Sequence, residues 1–140
     1  MRSKGNNELH VTSTHYDDQI TLNLVRGSQR TVAIHGCEGN ESVAYIGGSD
    51  YRLIKLITES LEDIGISVRE APHHISGTQE NNIVNMTQTQ GGVQLELTAQ
   101  LRKELFKNRK SSRNNRENKD NWDDLMYDFA DAMKKAIERA

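Results

Sequence analysis

A chain of 140 residues with 34% hydrophobic content and a mean hydropathy of −0.77 has room for one domain with a modest core. Its net charge of −2 excludes bulk attraction to nucleic acid or to an anionic membrane surface. A single cysteine excludes an internal disulfide framework, and no run of about 18 apolar residues is present to cross a membrane.

The first eight residues contain no apolar stretch of the kind a secretory signal needs, so the expected location is the cytoplasm. Leu9-His10-Val11-Thr12-Ser13 has the character of a strand. Asp17 and Asp18 stand where a first helical turn favours acids, and Ile20, Leu24 and Val25 fall on one helical face up to Gly27. Thr31-Val32-Ala33-Ile34 is a short buried run, which predicts a central strand over residues 30–35 with His35 where the run ends. Gly36 and Gly39 let the chain turn there and leave the imidazole uncovered. Val43-Ala44-Tyr45-Ile46 predicts a further strand, closed by Gly47-Gly48.

Asp50 can cap a helix whose apolar positions are Leu53, Ile54, Leu56, Ile57, Leu61 and Ile64, with Gly65 as its stop. Ile66-Ser67-Val68-Arg69 is the next strand, ended by Pro72, the only proline. Residues 73–82 read as a polar loop, and Ile83-Val84-Asn85 as a short apolar segment before the Gly91-Gly92 turn. In Val93-Gln94-Leu95-Glu96-Leu97 the alternation puts Val93, Leu95 and Leu97 on one face and Gln94 and Glu96 on the other. Thr98 can cap a helix over Leu101, Leu105 and Phe106. This order of elements favours an α/β fold: a sheet of mixed direction with flanking helices.

Residues 107–119 change character, with Lys107, Arg109, Lys110, Arg113, Arg116 and Lys119 against Glu117 alone. A solvated basic linker over residues 107–120 is the simpler reading, and contact with an anionic partner such as nucleic acid the other. Trp122, Leu125, Met126, Phe129, Met133 and Ile137 recur at spacings of 3 and 4, an amphipathic helix over residues 121–140 that needs a surface to cover. That surface is either the domain of residues 9–106 or a second copy of the chain. A membrane is disfavoured because the polar face is mixed in charge.

Chemistry in open α/β sheets collects at the carboxyl ends of strands, which directs attention to His35 and Glu96. Taken singly, His35 can be an ordinary hydrogen-bonded histidine and Glu96 a solvated carboxylate. Taken together they are two parts of a metal-hydrolase site, although catalytic zinc normally holds three protein donors and a water. Cys37 is either a further donor or a small buried thiol. His73-His74 read as loop residues, and His10 and His15 as surface or strand residues. Gly47-Gly48-Ser49-Asp50 lacks the lysine and spacing of a phosphate loop, and neither a G-x-S-x-G elbow nor a Cys-x-x-Cys pair occurs.

The segments Leu9 through Asp17, Val32 through Cys37, Ile46 through Asp50, Gly77 through Asn85, and Gly92 through Leu97 with Leu101-Arg102 occur in an order and spacing that resembles a known family. It is similar to the carboxyl-terminal two-thirds of the poly-γ-glutamate hydrolases, a phage and bacillus group also called phage-related replication proteins. The resemblance implies a carboxypeptidase-like α/β fold and zinc-dependent cleavage of γ-glutamyl amide bonds in capsule polymer. It implies His35 as a zinc ligand, Glu96 as general base, and Asn82 and Asn85 as substrate-binding residues. The family's other two ligands come from an early His-Gly-Gly-Gly-Ile-Glu motif that these 140 residues do not contain. A protein lacking the first part of the family domain is therefore expected. Asn85-Met86 also replaces the family's Asn-Arg, removing a cation that could grip a substrate carboxylate.

The function expected from the resemblance is a phage or prophage hydrolase of poly-γ-glutamate, made in the cytoplasm and released when the host lyses. The alternative is a non-catalytic prophage remnant or binding module with the same fold. Self-association through the last helix is a further expected contact.

Overall fold

The computed structural model describes residues 10–140. Four helices and four strands follow in the order α1 (Gln19–Gly27), β1 (Val32–Gly36), β2 (Val43–Gly48), α2 (Tyr51–Asp63), β3 (Ser67–Glu70), β4 (Val93–Leu97), α3 (Ala99–Glu104) and α4 (Asp124–Arg139). The sheet order is β1-β4-β2-β3. β1 runs parallel to β4 and β2 parallel to β3, while β2 and β4 are antiparallel, so the sheet is mixed as expected.

The expected central strand is in fact an edge. β1 pairs with β4 alone among the described strands, and β4, inserted between β1 and β2, has all five of its residues buried. In β4 Val93, Leu95 and Leu97 supply one wholly apolar face, whereas β1 carries only Val32 and Ile34 on that side. Ile34 is left exposed.

α2 forms the spine of the core. The Asp50 carboxylate accepts from the Leu53 N–H at 3.0 Å, and Leu53, Ile57 and Leu61 are fully buried. Each contributes roughly 1.5–3 kcal/mol on burial. The helix ends in a Schellman motif. The Gly65 N–H bonds to the Glu62 carbonyl and the Ile66 N–H to that of Leu61, with Gly65 at φ +85°. α2 then connects the parallel neighbours β2 and β3, and α4 packs against it with Phe129, Ala132, Met133 and Ala136 in the same core.

Two helical faces differ from the expected ones. In α1 the buried residues are Leu22 and Val25, and Ile20 and Leu24 are 73% and 67% exposed. The helix meets the turn at Ile83–Asn85, and only an i, i+3 stripe reaches that narrow contact. In α4 the two alanines join the buried face and Ile137 is exposed, because small side chains let α4 lie close against α2. The expected strand of residues 9–13 begins at Leu9, outside the described residues. From His10 onward it is irregular, with a turn closed by the His15 N–H on the Thr12 carbonyl. The Thr12 and Thr14 hydroxyls share a hydrogen bond at 3.4 Å there.

Residues 107–120 leave the domain and return to it. Phe106 and Trp122 form an isolated antiparallel bridge, and the Trp122 indole donates to the Arg116 carbonyl at 2.8 Å. Among the described residues no helix is long and apolar enough to cross a membrane.

Candidate active site

His35 and Glu96 are register partners on adjacent parallel strands, so their side chains leave the same face of the sheet at the same edge. The strand ends are tied together just beyond them. The Cys37 N–H bonds to the Leu97 carbonyl at 2.9 Å, and the Arg102 guanidinium donates to the carbonyls of Leu97 (3.2 Å) and Cys37 (3.0 Å). A Cβ at Gly36 would sit 2.9 Å from the guanidinium and would make this clamp shift.

Glu96 is 7% exposed. Burial pushes its carboxyl above the ordinary glutamate range, against the smaller opposing effects of His35 nearby and a hydrogen bond from Gln94. Gln94 bridges strand and loop: its amide nitrogen donates to Glu96 at 3.4 Å and to the Ile75 carbonyl at 3.1 Å, and its oxygen accepts from Asn82 at 3.1 Å. The loop that carries these contacts rides directly on the sheet. The Gly48 N–H donates to the Ser76 carbonyl at 2.7 Å, and a Cβ on Gly47 would meet that same oxygen at 2.0 Å.

Of the two expected substrate-binding asparagines, Asn82 lines the cavity above Glu96 and Asn85 does not. Asn85 holds the loop from beneath. Its amide donates to the carbonyls of Gly77 and Gln79 and accepts from Ser49 and the Gly92 N–H, which uses the full capacity of the group. Cys37 follows the last residue of β1 and lies outside that cavity. Burial, then the nearby Glu96, pushes its thiol up, against a smaller lowering by Arg102, so the weak-donor thiol form is favoured.

The cavity, about 420 Å³, is lined by His10, His15, His35, His73, His74 and Glu96 among others. Four of these histidines read from sequence as loop, strand or surface residues. No spacing signal could have gathered them with His35, because the five arrive on three separate segments. A catalytic zinc needs three protein donors. Among the described residues no group of three or more His, Cys, Asp or Glu side chains can hold a metal ion, so these residues do not by themselves fit one.

The raised carboxyl of Glu96 has a consequence for stability. Between the ordinary glutamate range and the raised value, the folded protein holds a proton that the unfolded chain has released, so stability falls as pH rises through that window. Glu96→Gln removes the ionisation. Its melting temperature is expected to match wild type at about pH 3.5, below both values, and to exceed it at about pH 8. A variant that follows wild type at both pH values would show that burying this carboxylate costs nothing.

The arrangement defines the class first: an α/β fold, a four-stranded mixed sheet with flanking helices. The backbone superposes on a bacteriophage poly-γ-glutamate hydrolase with a TM-score of 0.91 at 31% identity, covering 99% of this chain and 66% of that one. The chain belongs to the poly-γ-glutamate hydrolase family, whose model matches residues 1–132 and so runs past Phe106 into α4. Relatives in Bacillus subtilis (strain 168) include the SPbeta prophage-derived UPF0714 protein YoqZ, 31% identical over 98% of this chain and 49% of its own length. UPF0714 protein YmaC is 30% identical over 99% and 58%. The chain thus spans about half the length of the curated relatives it matches. A zinc-free apo structure of YndL shares the fold with a TM-score of 0.82 at 24% identity, over 98% of this chain and 67% of that one.

Proposed function

We propose that the chain acts on poly-γ-glutamate as the portion of a zinc-dependent γ-glutamyl hydrolase that carries one metal donor, His35, and the proton acceptor, Glu96. The observation that supports this most is the pairing of His35 with Glu96 at one sheet edge, in a chain matched by the family model over residues 1–132. Hydrolysis of an amide requires a proton to leave the attacking water. A shielded carboxylate with a raised pKa is a stronger base for that proton than a solvated one. Gln94 steadies one carboxylate oxygen and leaves the other to accept it. Asn82 walls the cavity and Asn85 anchors the loop that forms it.

The remaining metal donors, in this reading, come from polypeptide other than the described residues, among which no three-donor group occurs. In this reading the protein is made in the cytoplasm and meets capsule polymer when the host lyses. A non-catalytic prophage remnant or binding module with the same fold is the second reading, and the lack of a three-donor group among the described residues favours it.

The test is to incubate the 140-residue protein with high-molecular-weight polymer and zinc, alone and with a fragment supplying the His-Gly-Gly-Gly-Ile-Glu segment. Polymer size is followed by gel filtration and zinc per chain by elemental analysis. Well under one equivalent of zinc alone, and depolymerisation on complementation, is the expected result. One equivalent of zinc bound by the protein alone and lost on His35→Ala would overturn the shared-donor arrangement. A complemented protein that binds polymer without shortening it would establish the binding module instead.

A further inference from the structure

All five histidines of the chain line the cavity that holds Glu96, and among the described residues no lysine or arginine does. The backbone that brings them there is fixed. The Ile83 N–H donates to the Ser13 carbonyl between His10 and His15, and Gln94 and Gly48 hold the carbonyls of Ile75 and Ser76 beyond His73-His74. His15, His73 and His74 are exposed, and the hydrogen bonds among the described residues leave their imidazoles unused. The histidines do not converge on one metal position. Separated N–H donors around one cavity suit a ligand with several separated acceptors.

A γ-linked glutamate polymer is such a ligand, because linkage through the side chain leaves every α-carboxylate free. We infer that His15, His73 and His74 form a carboxylate-binding wall that holds consecutive α-carboxylates of the polymer while Glu96 faces the amide between them. This rests on the polymer reading given above. An imidazole, neutral or protonated, offers an N–H to a carboxylate. The Glu96 carboxylate, the one acidic group that lines the cavity among the described residues, repels the same ligand and so keeps α-carboxylates on the histidine side.

The experiment is calorimetric binding of a γ-linked decaglutamate to the full chain in the presence of a metal chelator. His15→Ala, His73→Ala, His74→Ala and the triple variant are compared with wild type, and thermal melting confirms that each is folded. Each substitution is expected to weaken binding by about tenfold, the weight of one charge-assisted hydrogen bond, and His73→Lys to keep it. A triple variant within twofold of wild type would overturn the wall, as would wild type that binds no decamer or binds its α-methyl ester equally well. An α-linked decamer bound as tightly, with the same histidine dependence, would keep the wall and reject the γ-polymer.

Discussion

In the complemented protein, Glu96→Gln is expected to slow polymer cleavage by about 10²–10⁴, the usual weight of a positioned general base, with zinc content unchanged. His35→Ala is expected to remove zinc and activity together. The contrast follows from geometry. Both side chains leave one face of the sheet at neighbouring register positions, yet they sit in different surroundings. Glu96 is enclosed on the central strand and bonded to Gln94, which suits a group that must stay in place and take a proton. His35 is half-buried on the edge strand, with its imidazole free to meet donors brought from outside. Rate and zinc measured side by side on the two variants separate the roles. A Glu96→Gln protein at full rate would reject the base, and an His35→Ala protein with full zinc would reject the ligand.

Sequence carried the elements that local rules govern. The α2 helix, its Asp50 cap and its Gly65 stop follow from apolar spacing and end chemistry, and all three stand in the structure. So does the face shared by Gln94 and Glu96, since alternation alone assigns it. Placement within the sheet was not legible. Thr31 through Ile34 are as apolar as a central strand, and only pairing shows that β4 occupies the centre and β1 the edge. The enclosure of Glu96 was missed for the same reason: a polar residue on an alternating strand reads as solvated until a loop is seen lying over it. That loop is held by Asn82, Asn85 and the close approach of Ser76 to Gly47, contacts between segments far apart in the chain. The histidine lining depends on the same loop, so it too had no local signature.

Ending the chain at Phe106 is expected to abolish the cooperative thermal transition, because α4 is part of the core. Phe129, Ala132, Met133 and Ala136 are buried against the cluster that includes Leu53, Ile57 and Leu61. Truncating one buried Phe or Met side chain to alanine costs about 3–5 or 2–5 kcal/mol. The losses at Phe129 and Met133 therefore already reach the scale of a whole domain's stability, about 5–15 kcal/mol. Polar ties are lost as well. The Asp123 N–H bonds to the Leu105 carbonyl at 3.0 Å, and Arg30, which also pairs with the helix-capping Asp50, donates to the carbonyl of Ala140 at 2.8 Å. The single substitution Met133→Ala tests the same packing within a folded protein, and should lower stability by about 2–5 kcal/mol in urea titration. Neutralising Lys110 and Arg113, exposed on the excursion of residues 107–120, should change it by less than about 0.5 kcal/mol. A protein of residues 1–106 that melts at the wild-type temperature would make the last helix an appendage and not a wall of the core.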